Sequence, residues 1–397
     1  MGQALLKSCS NKEEPEKRQK TGSNRTIISM RPASSYIESP ESDISTEPEH
    51  FSTTVTTQDF GIEKLLGIGG FGKVYLVEHL SSGKKYAMKV LSKKLIKQLK
   101  QVTHTINERQ ILSKNSCHFL VRLHYAFQTP DKLFMVMDFA AGGELFMHIR
   151  ENNYLSEERT KFYAAEILLA LDWLHRKGVI YRDLKPENVL LDKDGHVKIS
   201  DFGLSKVGLN ASKQAFSICG TPEYMAPEVL QGEGHDKSVD YWSLGSLIYV
   251  MLAGTSPFVH ADRENRLAIL GSLKRTKVLM KPWFSADAVN LITRLLTVDP
   301  AKRLTDASLT KQHPFFSNIN WELLERRQVT PPFVPVVEGE VSGYFDPTCL
   351  NEPIDTANEE LQGVLASGFN LKFDNFTFRR PDTSFMSQMP KEENKTN

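Results

Sequence analysis

Residues 181–188 read Tyr181-Arg182-Asp183-Leu184-Lys185-Pro186-Glu187-Asn188, and Asp201-Phe202-Gly203 follows after a short strand and turn. This run decides the fold, because it sets four chemically distinct side chains on one loop–strand–loop unit. Asp183 supplies a carboxylate that can orient an attacking hydroxyl. Lys185 supplies an ammonium for a transferring phosphoryl group. Asn188 and Asp201 supply the oxygens that suit Mg2+. Phosphoryl transfer asks little covalent chemistry of a protein and mostly needs positioning and charge neutralisation. Either short motif arises easily alone; the pair in this order and spacing does not.

Upstream, Leu66-Gly67-Ile68-Gly69-Gly70-Phe71-Gly72-Lys73-Val74 has the spacing G-x-G-x-x-G-x-V. The same glycines occur in dinucleotide-binding turns, where they open a helix. Here Val74-Tyr75-Leu76-Val77 continues as an apolar, β-branched strand, so the glycines are expected in a hairpin that folds over phosphates. The two-residue period of the next strand puts Ala87 and Lys89 on one face. Ala87 can then cover adenine while Lys89 reaches the α- and β-phosphates of ATP. Glu108, in a helical segment over residues 105–112, is placed to pair with Lys89.

With Ala226-Pro227-Glu228, these motifs resemble the signature set of protein kinases over roughly residues 60–316. The stretch Ser217-Ile218-Cys219-Gly220-Thr221-Pro222-Glu223-Tyr224 is similar, more narrowly, to the activation segment of AGC kinases. His313-Pro314-Phe315-Phe316, Thr330-Pro331-Pro332-Phe333 and Phe373-Asp374-Asn375-Phe376-Thr377-Phe378 resemble the carboxy-terminal tail and hydrophobic motif of that group. The wording lies nearest the ribosomal-protein kinases, Akt and the serum- and glucocorticoid-induced kinases.

The resemblance implies an α+β, bilobal protein kinase fold: a small β-rich lobe with one main helix, a large helical lobe and a wrapping tail. The expected divisions are a disordered extension over 1–58, a kinase domain over 59–316, the tail over 317–388 and a disordered end over 389–397. The resemblance also implies roles. Asp183, Lys185, Asn188 and Thr221 are expected to be catalytic, and Asn188 and Asp201 to hold Mg2+. ATP is expected against Leu66, Gly67, Ile68, Gly69, Gly70, Phe71, Gly72, Lys73, Val74, Ala87, Lys89, Glu108, Met137 and Leu190, with Phe345 completing the adenine site. Beyond Phe345-Asp346, Cys349-Leu350 departs from the Phe-Thr pair usual in relatives. Glu144 and Glu187 match an acidic pair that receives an arginine three residues before the target. Ser217, Thr377 and Thr356 are the expected phosphorylation sites, although Ala357 stands where a proline often follows the last. A phosphoinositide-dependent-kinase-like activator is expected for Ser217 and a TOR complex for the hydrophobic motif. Glu228 is expected to pair with Arg303, and Asp240 to hold the catalytic-loop backbone.

Bulk properties set the frame. A chain of 397 residues suits one large domain with flanking segments. A net charge of +1 and a pI near 7.7 supply no field for nucleic acid. The apolar run over 247–253 is too short for stable membrane insertion. Four cysteines without CxxC spacing fit a reducing compartment, so the chain is expected in the cytoplasm, with the nucleus also open, and as a monomer. Two competing functions remain: a pseudokinase scaffold and a small-molecule kinase of related fold. Lys89, Asp183, Asn188 and Asp201 argue against the first, and Ala226-Pro227-Glu228 against the second. The sites Arg31-Pro32-Ala33-Ser34 and Arg380-Pro381-Asp382-Thr383 fit an R-x-x-[ST] consensus and are expected to be accessible for autophosphorylation.

Overall fold

Alternation of apolar and polar residues builds the first lobe. The computed structural model describes residues 55–208, 214–258, 269–271, 273, 278–337, 339, 341, 343–352 and 373–381. Strand β1 (Phe60–Gly69) turns into β2 (Gly72–His79), and β3 (Lys84–Ser92) follows. On β3, Tyr86, Met88 and Val90 enter a core with Phe60, Tyr75, Phe127 and Phe134, which leaves Ala87 and Lys89 on the opposite face. Among the described residues, packing extends a few positions before 59. Val55 lies against this core, and Thr56 and Asp59 cap each other reciprocally.

Helix α1 (Lys93–Gln98) precedes α2 (Val102–Lys114), the helix that carries Glu108. The lobe therefore has a short helix beside the one main helix expected. Ser92 starts α1, its hydroxyl accepting from Leu95 N at 3.4 Å. Strands β4 (Leu123–Gln128) and β5 (Lys132–Asp138) complete an antiparallel array in the order β1-β2-β3-β5-β4.

The chain then crosses through Phe139 and Ala140 to β6 (Gly143–Glu144), α3 (Leu145–Asn152) and α4 (Glu157–Arg176). Ser156 caps α4 by accepting from Arg159 N at 3.3 Å. Acidic residues in its first turn and basic ones in its last complement the helix dipole. Ala164, Ile167, Leu168, Leu171 and Leu174 are fully buried, as their spacing requires, but burial extends around most of the helix. Glu166 lies in that core. Its carboxylate pairs with His196 Nδ1 at 2.6 Å and accepts from Val197 N at 2.7 Å.

Strands β7 (Val179–Ile180), β8 (Val189–Leu191), β9 (Val197–Ile199) and β10 (Lys206–Val207) form two small sheets, β6-β8-β9 and β10-β7. After α5 (Pro227–Gln231), helix α6 (Ser238–Ala253) runs through the lobe centre, buried nearly all round. A Cβ on Gly245 would lie 2.7 Å from Leu295 Cβ, so this glycine lets α6 press against α7 (Ala286–Leu295). Helices α8 (Ala307–Lys311) and α9 (Trp321–Glu325) lead into the tail. The tail keeps touching the core: Phe333 sits 3.8 Å from the Arg159 guanidinium, and Tyr344 stacks on His148 at 3.7 Å. Helix α10 (Pro347–Leu350) follows, and β11 (Phe378–Arg379) joins β4 as a sixth strand of the first-lobe sheet.

Glu228 and Arg303 form the expected buried pair, a fork with contacts of 2.7 and 2.9 Å. The guanidinium also sits 5.1 Å from the Trp242 ring. Removing one partner leaves an uncompensated buried charge, which typically costs about 3–5 kcal/mol. Arg303→Met should therefore destabilise by about that amount, and adding Glu228→Leu should recover much of it. Denaturation of the four-member mutant cycle measures this; strictly additive losses would contradict it.

Candidate active site

Lys89 meets two carboxylates from different parts of the chain. Its Nζ lies 2.7 Å from Glu108 Oε1 on α2 and 3.1 Å from Asp201 Oδ1. Burial works against the ammonium, but the Asp201 and Glu108 charges outweigh it and hold Lys89 above the ordinary lysine range. Burial pushes Glu108 up, with Lys89 pulling the other way. Lys89 is the main cause holding Asp201 below its usual value. The Asp201 side chain is 51% exposed, so an ionised carboxylate faces the space between the lobes.

Asp183 is the hub of the second constellation. Its Oδ1 accepts from Thr221 N and Thr221 Oγ1, each at 3.1 Å. Its Oδ2 accepts from Asn188 Nδ2 at 2.8 Å and lies 3.2 Å from Lys185 Nζ. Lys185 also donates to Thr221 Oγ1 at 2.9 Å, closing the ring. Burial raises the Asp183 pKa, with Lys185 opposing it. The loop is held from behind by Asp240, which is fully buried. Asp240 accepts from Tyr181 N at 2.9 Å and Arg182 N at 2.8 Å, and lies 2.7 Å from His175 Nε2. Arg182 and Asp201 adopt φ of 70° and 52°. Non-glycine residues rarely adopt such values, and they persist only where the surroundings over-determine them. Asp240 provides that restraint at Arg182.

Above the site, Leu66, Val74 and Ala87 gather with Leu76, Phe139, Val341, Phe345 and Leu350. Phe345 stacks on Phe139 at 6.0 Å between centroids, so the tail closes one wall of the slot. Met137 packs against the main core, and Leu190 lies half-buried on β8. Leu76 shares the β2 face of Val74, two residues away, so strand period alone could have found it. No local signal marks Val341. Within the glycine loop, a Cβ on Gly72 would meet Val90 O at 1.7 Å, so the fold itself requires that glycine. At Gly67 nothing lies within 4 Å of a built Cβ, and at Gly69 only Gly72 O does, at 3.6 Å. Those glycines keep a cradle open, and bare backbone there suits phosphate oxygens. Gly70 and Phe71 form the turn between β1 and β2, and Ile68 at the end of β1 pairs with Lys73 at the start of β2.

Glu144 lies at the end of β6 and Glu187 in the catalytic loop. Burial, the Glu187 charge and the Asp346 charge push Glu144 up to about 7. Burial likewise raises Glu187. In the activation segment, Arg182 Nη1 donates to Ser217 Oγ at 2.6 Å, while its Nη2 is buried without a hydrogen-bond partner among the described residues. Burial, then the Arg182 and Lys206 charges, lower the pKa of His104 on α2, so positive charge gathers around this imidazole. His104 and Lys206 were not anticipated as members of that cluster.

The hydrophobic motif docks beside α2. Phe373 and Phe376 are buried in the main core, and Arg109 donates to Phe376 O at 3.0 Å and Thr377 O at 2.9 Å. Gln128 brackets Phe373, donating to its carbonyl at 2.9 Å and accepting from its amide at 3.2 Å. Thr356 lies outside the described residues, as do Ser34 and Thr383. The expected accessibility of Arg380 is corrected: its guanidinium is bound to main-chain carbonyls of the first lobe, which leaves no free arginine while the tail is docked.

The sequence model of the protein kinase domain matches residues 60–316. A RAC family serine/threonine-protein kinase homolog of Dictyostelium discoideum is 47% identical over 303 residues, covering 76% of this chain and 68% of that protein. Serine/threonine-protein kinase Sgk1 of Danio rerio is 44% identical over 321 residues, covering 80% of this chain and 73% of its own length. RAC-beta serine/threonine-protein kinase A of Xenopus laevis is 44% identical over 299 residues, covering 74% and 60%. The chain belongs to the protein kinase family and is a serine/threonine kinase of the AGC type.

Proposed function

We propose that this kinase transfers the γ-phosphoryl group of ATP, with Mg2+, to serine or threonine three residues after an arginine. The observation that carries the reading is the convergence of Asp183, Asn188, Lys185 and Thr221 below the Lys89–Glu108–Asp201 cluster. It supports an enzyme over a pseudokinase scaffold.

Asp183 orients the substrate hydroxyl and accepts its proton as the oxygen bonds to the γ-phosphorus. The bond to the bridging oxygen breaks, and ADP leaves. Thr221 and Asn188 fix the Asp183 carboxylate, and Lys185 offers positive charge to the γ-phosphoryl oxygens. Lys89, set by Glu108, holds the α- and β-phosphates. Asp201 and the Asn188 side-chain oxygen, whose nitrogen is turned toward Asp183, are the groups suited to hold Mg2+. When bound, the metal neutralises phosphate charge. Leu66, Val74, Ala87, Met137, Leu190 and Phe345 enclose adenine. Asp183→Asn and Lys89→Met should each lower peptide phosphorylation by about 100-fold or more, the usual scale for losing a positioned base or charge clamp. Radiolabel transfer, with circular dichroism to verify folding, checks this; retention of a tenth of the activity would refute the roles.

Glu144 and Glu187 form the proposed arginine pocket, since carboxylates in a cleft bind a guanidinium directionally. A Glu144 pKa of about 7 gives the preference a pH dependence. Below that value Glu144 is protonated and attracts arginine weakly; above it the carboxylate is charged. The ratio of rates for peptides with and without arginine at minus three should rise from pH 6 to 8, and Glu144→Gln should flatten it. A ratio independent of pH in the unmodified enzyme would count against the pocket.

Activation is proposed to follow phosphorylation of Ser217, whose phosphate would meet the unpartnered nitrogen of Arg182, already bonded to the Ser217 hydroxyl. A phosphoinositide-dependent-kinase-like enzyme is proposed for Ser217, and a TOR complex for Thr377, with Thr356 a further site. Ser217→Ala should be nearly inactive. Phe376→Ala should lower Ser217 occupancy in cells, measured by phosphopeptide mass spectrometry. Normal occupancy in the Phe376 variant would separate the two switches.

A further inference from the structure

Past the hydrophobic motif, the main chain continues along β4, and the Arg380 amide donates to His124 O at 2.8 Å. The Arg380 side chain then turns inward. Its Nε donates to Leu123 O at 2.8 Å. Its Nη2 reaches Leu112 O and Ser113 O, each at 3.3 Å, and Nη1 and Nη2 reach Asn115 O at 3.5 Å. Leu112 and Ser113 lie in the last turn of α2, where carbonyls lack intrahelical partners. Asn115, the residue that ends α2, is extended and spends its side-chain amide on Leu120 O and Val121 O. A planar guanidinium suits several converging carbonyls, and positive charge at a helix C-terminus is stabilising.

We infer that Arg380 is a positioning residue for phosphoryl transfer. It fixes the C-terminal end of α2, and thereby seats the Glu108 carboxylate against Lys89, separately from the aromatic docking of Phe373 and Phe376. Glu108 stands one helical turn before Leu112, so fraying at Leu112 reaches it directly. Arg109 and Gln128 hold the motif; Arg380 holds the end of the helix. The inference rests on the proposed role of the Lys89–Glu108 pair.

The test uses the full chain carrying Arg380→Ala, Arg380→Lys, Glu108→Gln, or Glu108→Gln with Arg380→Ala. Arg380→Ala should lower kcat/KM for ATP about three- to tenfold, the range of a charge at a helix terminus. KM for ATP should rise, KM for peptide should stay unchanged, and Arg380→Lys should fall between Ala and Arg. Simple loss of folded enzyme would lower kcat and leave both KM values alone. Amide exchange should quicken at residues 112–118 and stay unchanged at 373–378. In the Glu108→Gln background, Arg380→Ala should add no further loss. Wild-type kinetics in Arg380→Ala, an equal loss in both backgrounds, or equal opening of 373–378 would overturn the proposal. Normal activity of Glu108→Gln alone would overturn both it and the Lys89–Glu108 reading beneath it.

Discussion

Lys89 projects from β3 between a carboxylate on α2 and another that follows the catalytic loop, at 2.7 and 3.1 Å. Burying an ammonium is expensive unless opposite charges sit close by, and two carboxylates without it would repel. Each member is therefore stable only where the other two are. That mutual dependence links the first-lobe sheet, α2 and the second lobe. It also makes the position of α2 an electrostatic matter, since withdrawing Glu108 removes half of the compensation around Lys89.

The second lobe uses buried carboxylates differently. Asp240, Glu166 and Glu228 each lie in apolar surroundings and each spend their oxygens on main-chain amides or a cationic partner. Such groups add little net stability over hydrophobic packing. What they fix is loop geometry: the catalytic loop from α6, β9 from α4, and the end of the activation segment from Arg303. The apolar helices give the lobe its bulk, and these three acids set where its loops run.

Much of this was legible because local chemistry is written locally. The shared face of Ala87 and Lys89 follows from strand period, and the gathering of Asp183, Lys185 and Asn188 from their place on one short loop; that Asn188 also bonds Asp183 was seen only in the structure. Glu228 with Arg303, and Asp240 with the loop amides, followed from family resemblance, since nothing local ties them together. Contacts made by the tail were harder. The packing of Phe345 against the Leu66–Val74–Ala87 face agrees with its expected place, but Val341 on the same face was not anticipated, because a long irregular segment carries no register. Arg380 was misjudged as accessible: its neighbours Pro381 and Asp382 read as loop, and only the pairing of Phe378–Arg379 with β4 carries it against the first lobe. His104 was missed because the charges that act on it, Arg182 and Lys206, lie far along the chain.

The sixth strand has a consequence for biosynthesis. Phe373, at the head of the segment that finishes the sheet, lies 245 residues beyond Gln128 at the end of β4. At roughly 5–20 residues per second, that stretch takes on the order of 10–50 s to emerge from a ribosome. Throughout that time the Leu123–Gln128 edge, which carries two aromatic residues and neither Lys nor Glu, displays unpaired amides and carbonyls. Bare edges of this kind recruit other strands. The nascent first lobe is thus an acceptor awaiting its own tail, and chaperone occupancy during translation should concentrate on β4.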